Sequence, residues 1–294
     1  MMLSTSKIVL ALCNCSQGCK LKIWTVNAFT DKPFEGNPAA VTIVKEFPAG
    51  ALCQKLAAEM SLPAMAFLKP LGINHFHIRW FNPGSEARLC GHATLASSHI
   101  LFQEGIVTGK RITFDSFTGP LFVRREKNEI ILDFPLQRTG NTLSTHLFKD
   151  LFNEGFVQAV QAYDDVIVEL TDEILIRELT LNLSKVKNIE CRSFIVTARG
   201  NAPYDFISRV FAPRLGVDED PVCGSAHVKL ADYWQKKQGK DRFLAYQASA
   251  RGGVLDITIV GERVYLKGKA VTIMEGMLRI TTDRLTGKIN ELTY

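Results

Sequence analysis

Hydrophobic and polar positions alternate with a period of two through much of the chain, so strands dominate the elements it predicts. Leu21-Lys22-Ile23-Trp24-Thr25-Val26 alternates in this way, and 39–44 is a second β-rich run behind the turn residues Gly36-Asn37-Pro38. Leu52, Leu56 and Met60 recur at helical spacing with Cys53 and Ala57 beside them, which predicts an amphipathic helix over 50–60. Further strands are expected near 65–69, 75–81, 110–115, 119–125 and 128–134. Within 75–81, Phe76, Ile78 and Trp80 share one face, and His75, His77 and Arg79 share the other. Two histidines on a polar face suit a metal, but a solvated strand face accounts for them more simply. The second half predicts strands near 165–170, 192–197, 204–209, 254–259, 263–267 and 270–274, with a helix near 171–178. This mixture is β-rich with few long helices and no strict βαβ alternation, which is an α+β pattern.

The composition supplies the core that such a pattern needs. Of 294 residues, 46% are hydrophobic, 18 are Phe and 22% are charged, which excludes a disordered chain. With 21 Gly and 11 Pro, collagen-like and linker-like chains are excluded as well. At roughly 100–200 residues per domain, the length suggests two domains. The polar, turn-rich stretch Arg138-Thr139-Gly140-Asn141-Thr142 is the expected crossing. It gives an N-terminal domain over 21–137, which can regain a strand from 275–294, and a C-terminal domain over 138–274. The net charge of +5 comes with no run of five like charges, so no nucleic-acid partner is expected. No apolar run approaches the ~18 residues of a membrane span, so no membrane partner is expected either.

The seven cysteines are unevenly placed: Cys13, Cys15 and Cys19 crowd together, while Cys53, Cys90, Cys191 and Cys223 are scattered. An odd count without the density of a secreted scaffold argues for reduced thiols and a cytoplasmic location. Residues 1–20 are expected to be a disordered extension. Their apolar stretch, 8–12, is shorter than the ~7–15 residues of a signal-peptide core. Their Cys-x-Cys-x3-Cys run has no partner cluster for a four-ligand site, so no metal is expected.

One short pattern occurs twice. Cys90-Gly91-His92-Ala93 and Cys223-Gly224-Ser225-Ala226 are both Cys-Gly-x-Ala, separated by roughly half of the chain, and both lead into helical periodicity. Leu95, His99 and Phe102 share a face in the first; Val228, Ala231 and Trp234 do in the second. Such a repeat suggests internal duplication. A cysteine at a helix start sits at the positive end of the macrodipole, where its thiolate is favoured. The following glycine admits a ligand to the backbone, and the N–H groups of the first turn can hold a carboxylate. Two such starts, Gly91 and Gly224 included, would grip a small anionic, amino acid-like substrate with a thiol on either side. One thiolate can then take a proton from carbon while the opposite thiol returns one. The bland alternative is two small buried residues at strand–helix turns.

The sequence resembles the PhzF-like family of phenazine-biosynthesis-type isomerases, which share the diaminopimelate-epimerase fold. The resemblance is carried by Val26-Asn27-Ala28-Phe29-Thr30, Gly36-Asn37-Pro38-Ala39-Ala40-Val41 and Arg79-Trp80-Phe81. It continues through Leu89-Cys90-Gly91-His92-Ala93-Thr94, Glu219-Asp220-Pro221-Val222-Cys223-Gly224-Ser225-Ala226-His227 and Arg251-Gly252-Gly253. It implies two similar β-rich domains, each wrapped around a central helix and related by a pseudo-twofold axis, with the site in the cleft between them. It implies catalysis without a cofactor, and a homodimer is common in the family. His92, Asp220 and Ser225 match the family's acid–base and substrate-holding positions. His92 can polarise or protonate near neutral pH. Asp220 precedes a proline that keeps its backbone extended, although an N-terminal helix cap is an alternative for it. Asn37 and Arg251 are further substrate-binding candidates; Arg251 can pair a carboxylate or simply sit at a turn.

One departure stands against these matches. The family's motif resembles N-L-S-E-T-A-F and its glutamate shuttles the proton, whereas this chain reads Ser61-Leu62-Pro63-Ala64-Met65-Ala66-Phe67. Ala64 cannot move a proton. Three readings follow: two-thiol racemisation or epimerisation by Cys90 and Cys223, an isomerase with Glu86 replacing the lost acid, or a small-molecule-binding or interaction protein without catalysis.

Overall fold

The computed structural model describes residues 19–148, 150–152 and 154–280. Most of the expected extension, with Cys13 and Cys15, and residues 281–294 of the expected C-terminal strand lie outside the described residues. In chain order the elements are β1 (Cys19–Ala28), β2 (Asn37–Ile43), α1 (Gly50–Met60), β3 (Ala64–Gly72), β4 (His75–Phe81), β5 (Glu86–Ala87), α2 (Gly91–Gln103), β6 (Arg111–Ser116) and β7 (Gly119–Glu126). Then come β8 (Glu129–Pro135), β9 (Phe156–Ala162), β10 (Asp165–Leu170), α3 (Glu173–Arg177), α4 (Leu183–Lys187), β11 (Phe194–Arg199), β12 (Phe206–Ala212) and β13 (Val217–Asp220). The last are α5 (Gly224–Gln238), β14 (Arg242–Gln247), β15 (Gly253–Val260), β16 (Arg263–Gly268) and β17 (Ala270–Ile280). The fold is α+β, as the alternation predicts.

The chain divides into two compact units, one holding 19–28, 38–126 and 270–280, the other 29–37 and 127–269 of the described residues. In the first, β1 pairs antiparallel with β17, and β2 runs parallel to β3. Antiparallel β4 follows β3, and β4 carries both β5 and β6. Its core gathers Leu21, Ile23, Val44, Met65, Phe67 and Phe81 against Cys53, Leu56 and Ala57 of α1, the face that the spacing over 50–60 predicts. Helix α2 departs from a one-faced pattern. Gly91 to Ser98 and Ile100 to Phe102 are all buried, so the helix is enclosed on every side except near His99. Small residues (Gly91, Ala93, Ala96, Ser97, Ser98) let the surrounding strands approach it closely.

In the second unit, β10 lies between antiparallel β9 and parallel β11. An antiparallel run joins β14, β15, β16 and β8, with alternating buried and outward positions along β14 and β16. Phe148, Val168, Phe194, Val196 and Phe211 form its core. Helix α5 is buried over Gly224 and Ala226 to Trp234, with Trp234 stacked on Phe206 at 5.6 Å. The polar stretch 138–142 lies inside this unit rather than at its border. Arg138 reaches Asp232 of α5 at 3.0 Å, and Thr139 donates to the same carboxylate from its backbone N–H at 2.6 Å. The chain passes between units at 126–127, because β8 pairs with β16 and so belongs to the second one.

Candidate active site

The strand before each Cys-Gly step delivers an extended residue to the helix start. Cys90 is the N-cap of α2, at φ −142° and ψ 101°, and Cys223 is the N-cap of α5, at φ −102° and ψ 101°. Neither side chain caps its helix by a hydrogen bond. The first N–H groups of a helix have no intrahelical acceptor, so both starts present donors to an anion.

At the first start, the Cys90 carbonyl accepts from Thr94 twice, from its backbone N–H at 3.0 Å and from Oγ1 at 2.6 Å. These bonds fix the turn, and the sulfur lies 3.5 Å from Nδ1 of His92. His92 is buried, and burial pushes its imidazole down to about 4. The ring is therefore neutral near pH 7 and keeps one acceptor nitrogen.

At the second start, Cys223 Sγ lies 3.4 Å from the Ser225 hydroxyl. Asp220 reaches this sulfur from β13, and its Oδ1 accepts from Asn37 Nδ2 at 2.7 Å and from the Val222 N–H at 3.2 Å. Burial pushes the Asp220 carboxyl up, against the Cys223 thiol, the Val222 N–H, Arg192 and Asn37. Burial and then the Asp220 charge push the Cys223 thiol up to about 12, against Arg192 and Ser225. Cys223 is thus held as a thiol despite its place at a helix start, because desolvation outweighs the macrodipole.

Two further residues hold this start, and the sequence singled out neither. Gln247, fully buried, accepts from the Cys223 N–H at 2.8 Å through Oε1 and donates to the Asp220 carbonyl at 2.5 Å through Nε2. Arg192 donates to Ser225 Oγ at 3.2 Å and to Asp165 at 2.6 Å. Both depend on tertiary placement, and no local pattern marks them. His227, also buried, hydrogen-bonds the Cys223 carbonyl through Nδ1 at 2.8 Å.

Arg251 donates to the carbonyls of Gly36 at 2.7 Å and Glu35 at 3.1 Å, so it ties down the loop that leads into Asn37. Gly253 beside it has a packing reason: a Cβ there would stand 2.4 Å from Val222 Cγ2. Ala64 is buried in β3 opposite Ala39. Both carboxylate oxygens of Glu86 are taken by Arg79, each at 2.7 Å. His77 meets the edge of Phe47 at 4.9 Å, and no cluster of three or more potential metal ligands occurs among the described residues. Among them, no helix is long and apolar enough to cross a membrane.

Residues 26–276 match the family profile of phenazine biosynthesis-like proteins, PhzC-PhzF. The chain belongs to the PhzC-PhzF family. An uncharacterized isomerase of Halalkalibacterium halodurans is 41% identical over 260 residues, covering 87% of this chain and 97% of the relative. A PhzF-family crystal structure from Enterococcus faecalis superposes with a TM-score of 0.82 at 35% identity, over 88% of this chain and 99% of that one. A hydroxyproline epimerase from Agrobacterium vitis shares the fold at 10% identity, with a TM-score of 0.59 over 92% of this chain and 95% of that one. The PhzC-PhzF fold of this chain is therefore epimerase-like.

Proposed function

We propose that this PhzC-PhzF chain is an isomerase that moves a proton at carbon in a small anionic, amino acid-like substrate, without a cofactor, using Cys90 and Cys223. The observation that carries this reading is the matched construction of the two helix starts. Each holds its cysteine sulfur against a polar partner two residues on, His92 at 3.5 Å and Ser225 at 3.4 Å, and leaves the first helical turn without a side-chain cap. The isomerase names of relatives such as the Halalkalibacterium halodurans protein support it.

The two thiols enter the reaction differently. Cys90, at a helix start that favours the thiolate, serves as base. His92, neutral because burial pushes its imidazole down to about 4, is too weak a base to take the thiol proton itself and holds the sulfur in place at 3.5 Å. Cys223, held as a thiol, enters as the acid. The carbon–hydrogen bond breaks toward Cys90, and a new one forms as the Cys223 S–H breaks on the opposite face. The carboxylate of the substrate rests on first-turn N–H groups, which also stabilise charge that develops beside it. In this reading Ala64 removes the family's glutamate route, and the thiol pair replaces it. Glu86 is a weaker substitute, since Arg79 occupies both of its oxygens.

The test is a screen of amino acids incubated with the protein in heavy water, read by mass spectrometry. Deuterium on the α-carbon of one of them, lost when either cysteine is replaced by Ala, is the expected result. Exchange that survives in both variants removes the thiol mechanism. Heat protection by an amino acid without any exchange would make the chain a binding protein instead.

A further inference from the structure

A buried charge network lies behind Cys223 in the second unit. Asp165 is fully buried and accepts from the Ser193 N–H at 2.8 Å, from Lys229 Nζ at 2.5 Å and from Arg192 Nη2 at 2.6 Å. Asp164 faces the same two cations, Arg192 Nε at 3.1 Å and Lys229 Nζ. Lys229 is almost wholly buried on α5, one turn beyond Ser225. Two cations and two carboxylates balance here, and the buried Asp165 together with the exposed Asp164 holds the guanidinium in one orientation.

That orientation has a directional consequence. A guanidinium can only donate, so at 3.2 Å from Arg192 Nη2 the Ser225 oxygen must be the acceptor. The proton of the Ser225 hydroxyl is then turned away from Arg192, and the Cys223 sulfur lies 3.4 Å from that oxygen. We propose that Arg192 is a positioning residue for Cys223: through Ser225 it aims a donor at the sulfur and supplies the nearby positive charge for the thiolate left when the thiol gives its proton to carbon. This rests on the thiol reading of the site, but it concerns Cys223 itself and is testable without turnover. The charged groups that face the sulfur are Asp220, which opposes the thiolate, and Arg192, which favours it; Asp164, Asp165 and Lys229 act through Arg192.

The experiment follows the rate at which methyl methanethiosulfonate, a small neutral reagent, modifies each cysteine of the full-length protein between about pH 8 and 10, resolved by peptide mass spectrometry. Because the thiolate reacts, the rate at a fixed pH reports the thiolate fraction. Arg192→Gln and Ser225→Ala should each slow Cys223 about tenfold, the equivalent of one unit on the pH axis, and leave Cys90 unchanged. Arg192→Lys should fall between, since it keeps the charge and loses the fork geometry. A merely structural role predicts the opposite sign, because loosening around Asp165 would expose Cys223 and speed its reaction. An unchanged or faster Cys223 in Ser225→Ala overturns the proposal even where Arg192→Gln does not fold. Slower Cys223 without α-proton exchange in any amino acid would keep this inference and reject the thiol mechanism.

Discussion

Asn37 Nδ2 donates to the Asp220 carboxylate at 2.7 Å and to the Val222 carbonyl at 3.0 Å, while its own amide oxygen, buried, meets no partner among the described residues. Both acceptors demand the nitrogen, so the orientation of the amide is fixed. In the proposed function this oxygen is the acceptor for the ammonium group of the substrate.

Asn37→Ala should therefore act on both fold and binding. It leaves a buried carboxylate short of a donor, at a cost of about 1–3 kcal/mol measured by urea denaturation. The wild type, by contrast, should gain thermal stability from an amino acid ligand that the variant no longer binds.

A second expectation concerns acid. Burial pushes His92 and His227 from 6.5 down to about 4 in the folded state. Between those values the unfolded chain binds protons at both rings and the folded chain does not, so stability rises with pH across this window and is lost as pH falls through it. Asp220, pushed up by burial, works in the opposite sense above 3.8 and offsets part of the slope. Denaturation midpoints measured across the window should show the loss, and His92→Asn should flatten it. A profile without slope there would contradict the burial of these rings.

Glu86 separates the mechanisms. With both oxygens on Arg79 and its side chain 43% exposed, Glu86→Gln should cost no more than about 1 kcal/mol of stability and leave turnover within a few-fold of wild type. Abolished turnover would make this carboxylate the acid.

The two helix starts were legible in the sequence because the Cys-Gly-x-Ala pattern is local. So were α1 and β4, whose apolar positions recur at clean spacings. Strand β9 was not, since Ala159 and Ala162 carry little β signal and Val157 lies partly exposed among polar neighbours. Strand β14 was missed although Phe243 and Tyr246 favour a strand, and with it Gln247, whose bonds to Cys223 and Asp220 exist only once β14 is placed. Arg192 falls in the same class: its neighbours Asp165 and Ser225 lie 27 and 33 residues away along the chain. Burial of the Cys223 sulfur was equally hidden. The helix start argued for a thiolate at Cys223, and the surrounding fold makes it a thiol.

The most direct test of the central claim uses the amino acid found in the exchange screen. Its conversion is started in heavy water and stopped early, and deuterium at the α-carbon is measured separately in product and in recovered substrate. Two thiols acting from opposite faces predict deuterium in the product almost alone, because the proton taken from carbon stays on one sulfur while the other delivers its solvent-exchanged proton. Equal labelling of product and recovered substrate would mean that a single group handles both protons, and would contradict the pairing of Cys90 with Cys223.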